Sequence, residues 1–140
     1  MAVVKELLVA NVEKGTLDFG DYTLTSKSKK DGVVLEGENY KVKTYNQITR
    51  LEKNENMIFE SVPGTAVFDF TYEPDVIEFK ISAPEDVSFT VDVEENTEYE
   101  LFVDGVHMGT IETNVSGKLN ASVEVDGDKL VHIKIVKLEK

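Results

Sequence analysis

Cysteine and tryptophan are absent, proline occurs three times, histidine twice and arginine once. Without cysteine there is no disulfide framework, no thiolate metal ligand and no thiol nucleophile, so the fold must rest on burial and hydrogen bonding. Histidine is the usual general base, and His107 and His132 are the only two. Neither has a nucleophilic serine in a recognisable setting: G-x-S-x-G does not occur, and Ser116 sits in the plain turn sequence NVSGK. A single arginine, Arg50, leaves no set of planar forks with which to clamp an acidic sugar. No apolar run approaches membrane-spanning length, and Lys5 and Glu6 interrupt MAVVKELLVANVEKG where a secretory signal would be apolar. We expect a soluble, cytoplasmic chain.

Positive charge is also scarce, with 15 basic against 27 acidic side chains in 140 residues. Residues 1–57 carry nine of each sign, so the net charge of −12 falls wholly on 58–140. Such a surface repels phosphate backbones and anionic lipid, which argues against nucleic-acid and membrane partners. Lys27, Lys29 and Lys30 form the one basic cluster, and the turn-type residues Ser26, Ser28, Asp31 and Gly32 around it read as a charged loop.

What is present is a β pattern. Hydrophobic residues make up 41% of the chain, enough for a packed core. Seven short segments rich in β-branched and aromatic residues follow one another: 66–71, 76–81, 87–93, 99–103, 106–113, 119–125 and 130–137. Most alternate at period two, as Val87, Phe89, Val91 and Val93 do against Ser88, Thr90 and Asp92, so one face can be buried while the other meets water. Between them lie turn sequences such as Asp104-Gly105, Ser116-Gly117 and Asp126-Gly127-Asp128. Seven strands at this spacing suggest an immunoglobulin-like two-sheet sandwich over 63–140.

The first half is read as β as well. Leu7, Leu8 and their neighbours could line a short helix, but VANV alternates, and Glu13-Lys14-Gly15 before TLDFGDYTL resembles a hairpin turn. Further hairpins turn at Glu36-Gly37-Glu38-Asn39 and Lys53-Asn54-Glu55-Asn56. Ser61-Val62-Pro63-Gly64 breaks the run, since proline cannot donate to a ladder and holds Val62 extended. The expectation is therefore an all-β protein with a small N-terminal β-subdomain, 1–62, followed by the sandwich, 63–140.

From Thr97 to Ile135 the chain resembles the immunoglobulin-like tail modules of bacterial polysaccharide-active proteins, through Tyr99, Asp104, Gly105, Gly109, Thr113, Gly117 and the strands beginning at Leu119 and Leu130. Those tails are structural accessories without catalytic residues. LDFGDYTL, NYKVKTYNQITRLEKNENMIFESVPGTAV and TEYELFVDG also resemble, over nearly the whole chain, a family of small clostridial proteins often labelled endosialidase. That label implies hydrolysis of sialic-acid polymers.

Other candidate chemistry is thin. Asp92, Glu94, Glu95, Glu98 and Glu100 could supply the two carboxylates of a glycosidase, but in acidic turns they read as solvated charges. Asp104, Asp126 and Asp128 could offer oxygens to calcium, yet DGDK lacks the D-x-D-x-D-G spacing and reads as a hairpin turn. Asp18-Phe19-Gly20 matches the kinase magnesium motif in letters, with no glycine-rich loop or H-R-D segment to accompany it. Tyr40 and Tyr45 flank a turn-rich region and could form a weak platform for a glycan.

These readings converge on a non-catalytic structural or assembly protein without metal or cofactor, self-associating into a homo-oligomer. The few prolines leave strand edges open to pairing. Leu7, Leu8, Phe19, Ile48 and Phe59 are the apolar residues to watch for assembly. A carbohydrate-binding accessory module is the alternative, and an endosialidase-type hydrolase comes third.

Overall fold

The computed structural model describes residues 2–126 and 129–138, and it is all-β. Thirteen strands follow in order: β1 (Leu8–Asn11), β2 (Thr16–Phe19), β3 (Ser28–Leu35), β4 (Glu38–Thr44), β5 (Thr49–Lys53), β6 (Asn56–Val62) and β7 (Ala66–Tyr72). The remainder are β8 (Val76–Ser82), β9 (Val87–Asp92), β10 (Glu98–Val103), β11 (Val106–Glu112), β12 (Lys118–Val123) and β13 (Val131–Lys137). All pairings are antiparallel. One sheet has the order β1-β2-β7-β8-β13-β10-β11 and the other β12-β9-β6-β5-β4-β3.

The sandwich follows from the period-two pattern. In β9 the side chains of Val87, Phe89 and Val91 are buried while Ser88, Thr90 and Asp92 are not, and β12 and β13 alternate in the same way. The two inner faces meet over five phenylalanines. Phe59 packs edge-on against Phe19 (5.4 Å between ring centroids), Phe70 (6.0 Å) and Phe79 (5.6 Å), and lies parallel to Phe89 at 6.2 Å.

Phe19 and Phe59 come from the first 62 residues and the other three from the remainder, so one core serves both halves. Both sheets also cross the expected boundary at 62/63: β2 pairs with β7 in one, and β6 with β9 in the other. The amino-terminal stretch settles as strand, and β1 and β2 form the hairpin read there.

The basic cluster is a correction to the loop reading. Ser28–Leu35 is a strand, so Lys29 and Lys30 lie within β3, opposite Lys43 and Val42. Turn-type residues accumulate there because β3 is an edge strand with a bulge between Lys30 and Val33, where Gly32 takes a φ of 72°.

At one end of the sandwich the strands close over a buried polar network. Thr49 Oγ1 donates to the Thr65 carbonyl and accepts from its amide, both at 3.0 Å, and lies 2.8 Å from Thr44 Oγ1. Two glycines permit this close approach. A Cβ on Gly64 would lie 1.9 Å from the Tyr45 carbonyl oxygen, and one on Gly20 would lie 2.3 Å from that of Thr65.

Candidate functional site

The opposite end of the sandwich holds two surface cavities, and a bulge in β7 turns an aromatic ring towards them. The pairing of β7 with β8 shifts register between Phe68 and Thr71, and Asp69 takes a φ of 53°. The Asp18 carboxylate holds that residue by accepting the Asp69 N–H at 2.9 Å. The extra residue inverts the alternation. Val67 and Phe70 are both buried, and Tyr72 follows on the inner side, stacked beside Phe70 at 6.2 Å and 10°. A regular strand would have turned Tyr72 to the outer face.

Tyr72 thus lies between the sheets where they part, and its hydroxyl donates to the Asp92 carbonyl of β9. Around it runs a groove with two lobes that share Lys53, Tyr72 and Asp92. One lobe, of about 220 Å³, extends over Glu73, Ile77 and Glu94. The other, of about 350 Å³, extends over Asn54, Asn56, Met57 and Lys118. The β5–β6 hairpin brings Lys53 opposite Asn56 through a turn in which Asn54 and Glu55 both have positive φ. The Lys53 ammonium sits 5.6 Å from the centre of the Tyr72 ring, and Lys118 is paired to Asp92 at 2.8 Å.

Burial pushes the Tyr72 hydroxyl up to about 12, helped by the negative charge of Asp92. Tyr40 and Tyr99 are raised too, first by burial. For Tyr40 the carboxylates of Glu38, Glu36 and Glu73 add to it, while for Tyr99 the Glu94 N–H on its oxygen opposes it. This end therefore keeps its phenols protonated among carboxylates.

The residues singled out from the sequence fall elsewhere. Tyr40 points into the core from β4 with 7% of its surface exposed, and Tyr45 lies beyond the end of β4, its hydroxyl bonded to Gln47 and Lys27 5.9 Å from its ring. Tyr40 fills the core near the start of β4 while Tyr45 lies half-buried past its far end, so the two rings are not set side by side as a shared platform. Leu8, Phe19 and Phe59 are at most 1% exposed and hold the sheets together; they offer no surface to a second molecule. Leu7 and Ile48 are half-buried, and Leu7 packs against the core.

Histidine and arginine are kept apart. His132 lies on the outer face of the seven-stranded sheet with Nε2 2.5 Å from Glu78, and His107 is exposed in β11, edge-on to Phe102 at 5.3 Å. Arg50 lies on the outer face of the six-stranded sheet, 3.5 Å from Glu52 and from Glu60. Its Nε is shielded from solvent and, although that close to the Glu52 carboxylate, lacks hydrogen-bond geometry.

Of the carboxylates in the acidic stretch, Asp92 is tied to Lys118 and Glu94 to Lys137, each at 2.8 Å. The Asp104 carboxylate accepts the His132 amide at 2.9 Å. Gly127 and Asp128, and with them the expected 126–128 turn, lie outside the described residues. Among the described residues no three His, Asp or Glu side chains converge as metal ligands, and no helix is long and apolar enough to cross a membrane.

The aromatic that lines both lobes of this groove is Tyr72, which was not among the residues singled out from the sequence. Its only signal was Pro74 two residues on, marking a strand end. No family model, curated protein or solved structure matches the chain.

Proposed function

We propose that the protein is a non-catalytic structural component that joins to a second copy of itself through the free edge of β11. The observation that carries this reading is the character of that strand. It ends the seven-stranded sheet, pairs among the described residues only with β10, and exposes Val106 and Met108 at 60% each. No lysine, arginine or proline occurs between Asp104 and Glu112, and the only acidic side chain within the strand is its last residue.

Unpaired N–H and C=O groups along an edge invite pairing unless charge, proline or a covering segment prevents it. Met108 is the extra residue of a bulge opposite Leu101 and Phe102, which leaves Gly109–Glu112 as the regular ladder and turns apolar side chains outward beside it. A two-fold axis through such an edge continues the sheet antiparallel into the second copy, with each β11 contributing the same surface. The charge of −12 on each chain opposes the encounter, so association strengthens as salt screens it.

The test is the mass in solution by sedimentation velocity at increasing protein and salt concentration. The wild type is expected to show twice the chain mass, and a Val106→Lys, Met108→Lys double variant the chain mass alone, with unchanged circular dichroism. A wild type that stays monomeric throughout, or a double variant that dimerises as well as the wild type, overturns the reading.

A further inference from the structure

We propose that the two-lobed groove around Tyr72 is a binding site for a neutral oligosaccharide. This site is separate from the β11 edge and does not depend on it. A sugar presents two kinds of surface: a face of C–H groups that lies against an aromatic ring, and hydroxyls that both donate and accept hydrogen bonds. The groove offers a partner for each. The Tyr72 ring lines both lobes, and the bulge pinned by Asp18 is what turns it there. Around it, Lys53, Asn56 and Lys118 supply donors, and Asp92 and Glu94 supply acceptors.

Size and charge narrow the class. The larger lobe, about 350 Å³, lies within the roughly 300–1,000 Å³ of small-molecule sites. The second lobe shares Lys53, Tyr72 and Asp92 with it, so a chain of rings can reach across the shared residues into both lobes where a single ring fills one. An anionic ligand would meet Asp92, Glu73 and Glu94 on a chain of net charge −12, and one of the two lysines, Lys118, is already held by Asp92. A cationic ligand would be repelled by the Lys53 ammonium that lies over the same ring. A neutral polyhydroxylated ligand must also displace Lys53 from the ring face, but its hydroxyls can accept a hydrogen bond from the displaced ammonium, and it is repelled by neither the lysines nor the carboxylates.

Titration of the ¹⁵N-labelled full chain with millimolar cellohexaose, xylohexaose and maltohexaose, with hexagalacturonate as the anionic comparison, tests the site by amide shifts. At least one neutral hexasaccharide is expected to move resonances of residues 53–57, 72–73, 92–94 and 118. Tyr72→Ala should weaken binding about tenfold or more. Because that change removes packing on Phe70, the exposed-side variants Lys53→Ala and Asn56→Ala serve as a second arm, each expected to weaken binding several-fold in a normally folded chain. Val106→Lys with Met108→Lys should leave saccharide affinity unchanged, which separates this site from the edge. The proposal is overturned if none of the neutral sugars shifts the groove, if hexagalacturonate binds more tightly than all of them, or if all three groove variants bind as the wild type does.

Discussion

The two margins of the sandwich are built by opposite means. At one, β1 and β3 end their respective sheets side by side, and Lys30 reaches from β3 to donate to the backbone carbonyls of Leu8 (3.0 Å) and Glu6 (3.3 Å). Lys29, Lys30 and Asp31 put charge along β3, and that charge, which β11 lacks before Glu112, makes β3 itself unsuited to pairing. At the other, β12 ends its sheet with Lys118, Asn120 and Ser122 outward, while β11 presents Val106 and Met108 to solvent. Edge protection is concentrated on one margin and thin on the other. If copies associate, that difference says which margin they would use, because an unprotected edge persists only where something covers it or strong net charge holds copies apart.

The largest expected effect tests whether the two margins belong to one cooperative body. Phe59→Ala removes the ring at the centre of the five-phenylalanine core and should cost about 3–5 kcal/mol in urea unfolding. Amide exchange in β1–β3 and in β10–β11 should accelerate together. Retained protection at either margin alone would break the picture of a shared core.

A smaller effect is expected from making the closed margin resemble the open one. Lys30→Ala removes the one ammonium that donates to both the Glu6 and Leu8 carbonyls, which water can partly replace, so about 1 kcal/mol should be lost. The more telling readout is association. If Lys30 protects this edge, the variant should gain a second mode of self-pairing that persists when β11 carries lysines. Sedimentation of Lys30→Ala combined with Met108→Lys distinguishes the two edges.

Much of this was legible in the sequence, and the misses have physical causes. The seven segments after residue 65 all became strands, because period-two alternation records which face is buried whatever the partner. Partners themselves leave no such trace. Nothing in LDF or AVFDF shows that β2 pairs with β7, so the boundary expected at Val62-Pro63 falls within sheets that both halves build.

Lys29-Lys30-Asp31 looked like a loop because an edge strand selects charge for protection over β propensity. Tyr72 was missed because a one-residue bulge inverts every later side chain in its strand, and its fastening is Asp18, 51 residues away in sequence. Tyr40 and Tyr45 looked like a platform because sequence spacing alone does not show that one of them fills the core.

Alkaline pH should sharpen the comparison by stressing the molecule away from both margins. Tyr72 titrates at about 12 in the folded protein against an ordinary 10, so its neutral hydroxyl contributes stability that is fully present below pH 10. That contribution drains as pH rises from 10 to 12, because the unfolded chain ionises first. Tyr40 and Tyr99 are raised and act in the same direction. Urea midpoints measured across this window should fall, and Tyr72→Phe should flatten the decline. A variant as steep as the wild type would place the sensitive group elsewhere.

The smallest effect on stability is the one that separates folding from assembly. Met108 is 60% exposed and is the extra residue of its bulge, so Met108→Lys should shift the urea midpoint of the monomer by no more than about 0.5 kcal/mol. The same lysine, placed where a second β11 would lie, brings two ammonium groups together across the two-fold axis and should weaken association at least tenfold. Measured at low protein concentration, where the wild type is also monomeric, the two chains should unfold alike. At high concentration only the wild type should gain stability from mass action. A stability loss that appears equally at both concentrations would mean that Met108 supports the fold of its own strand, and β11 would then have no claim to differ from the protected edges.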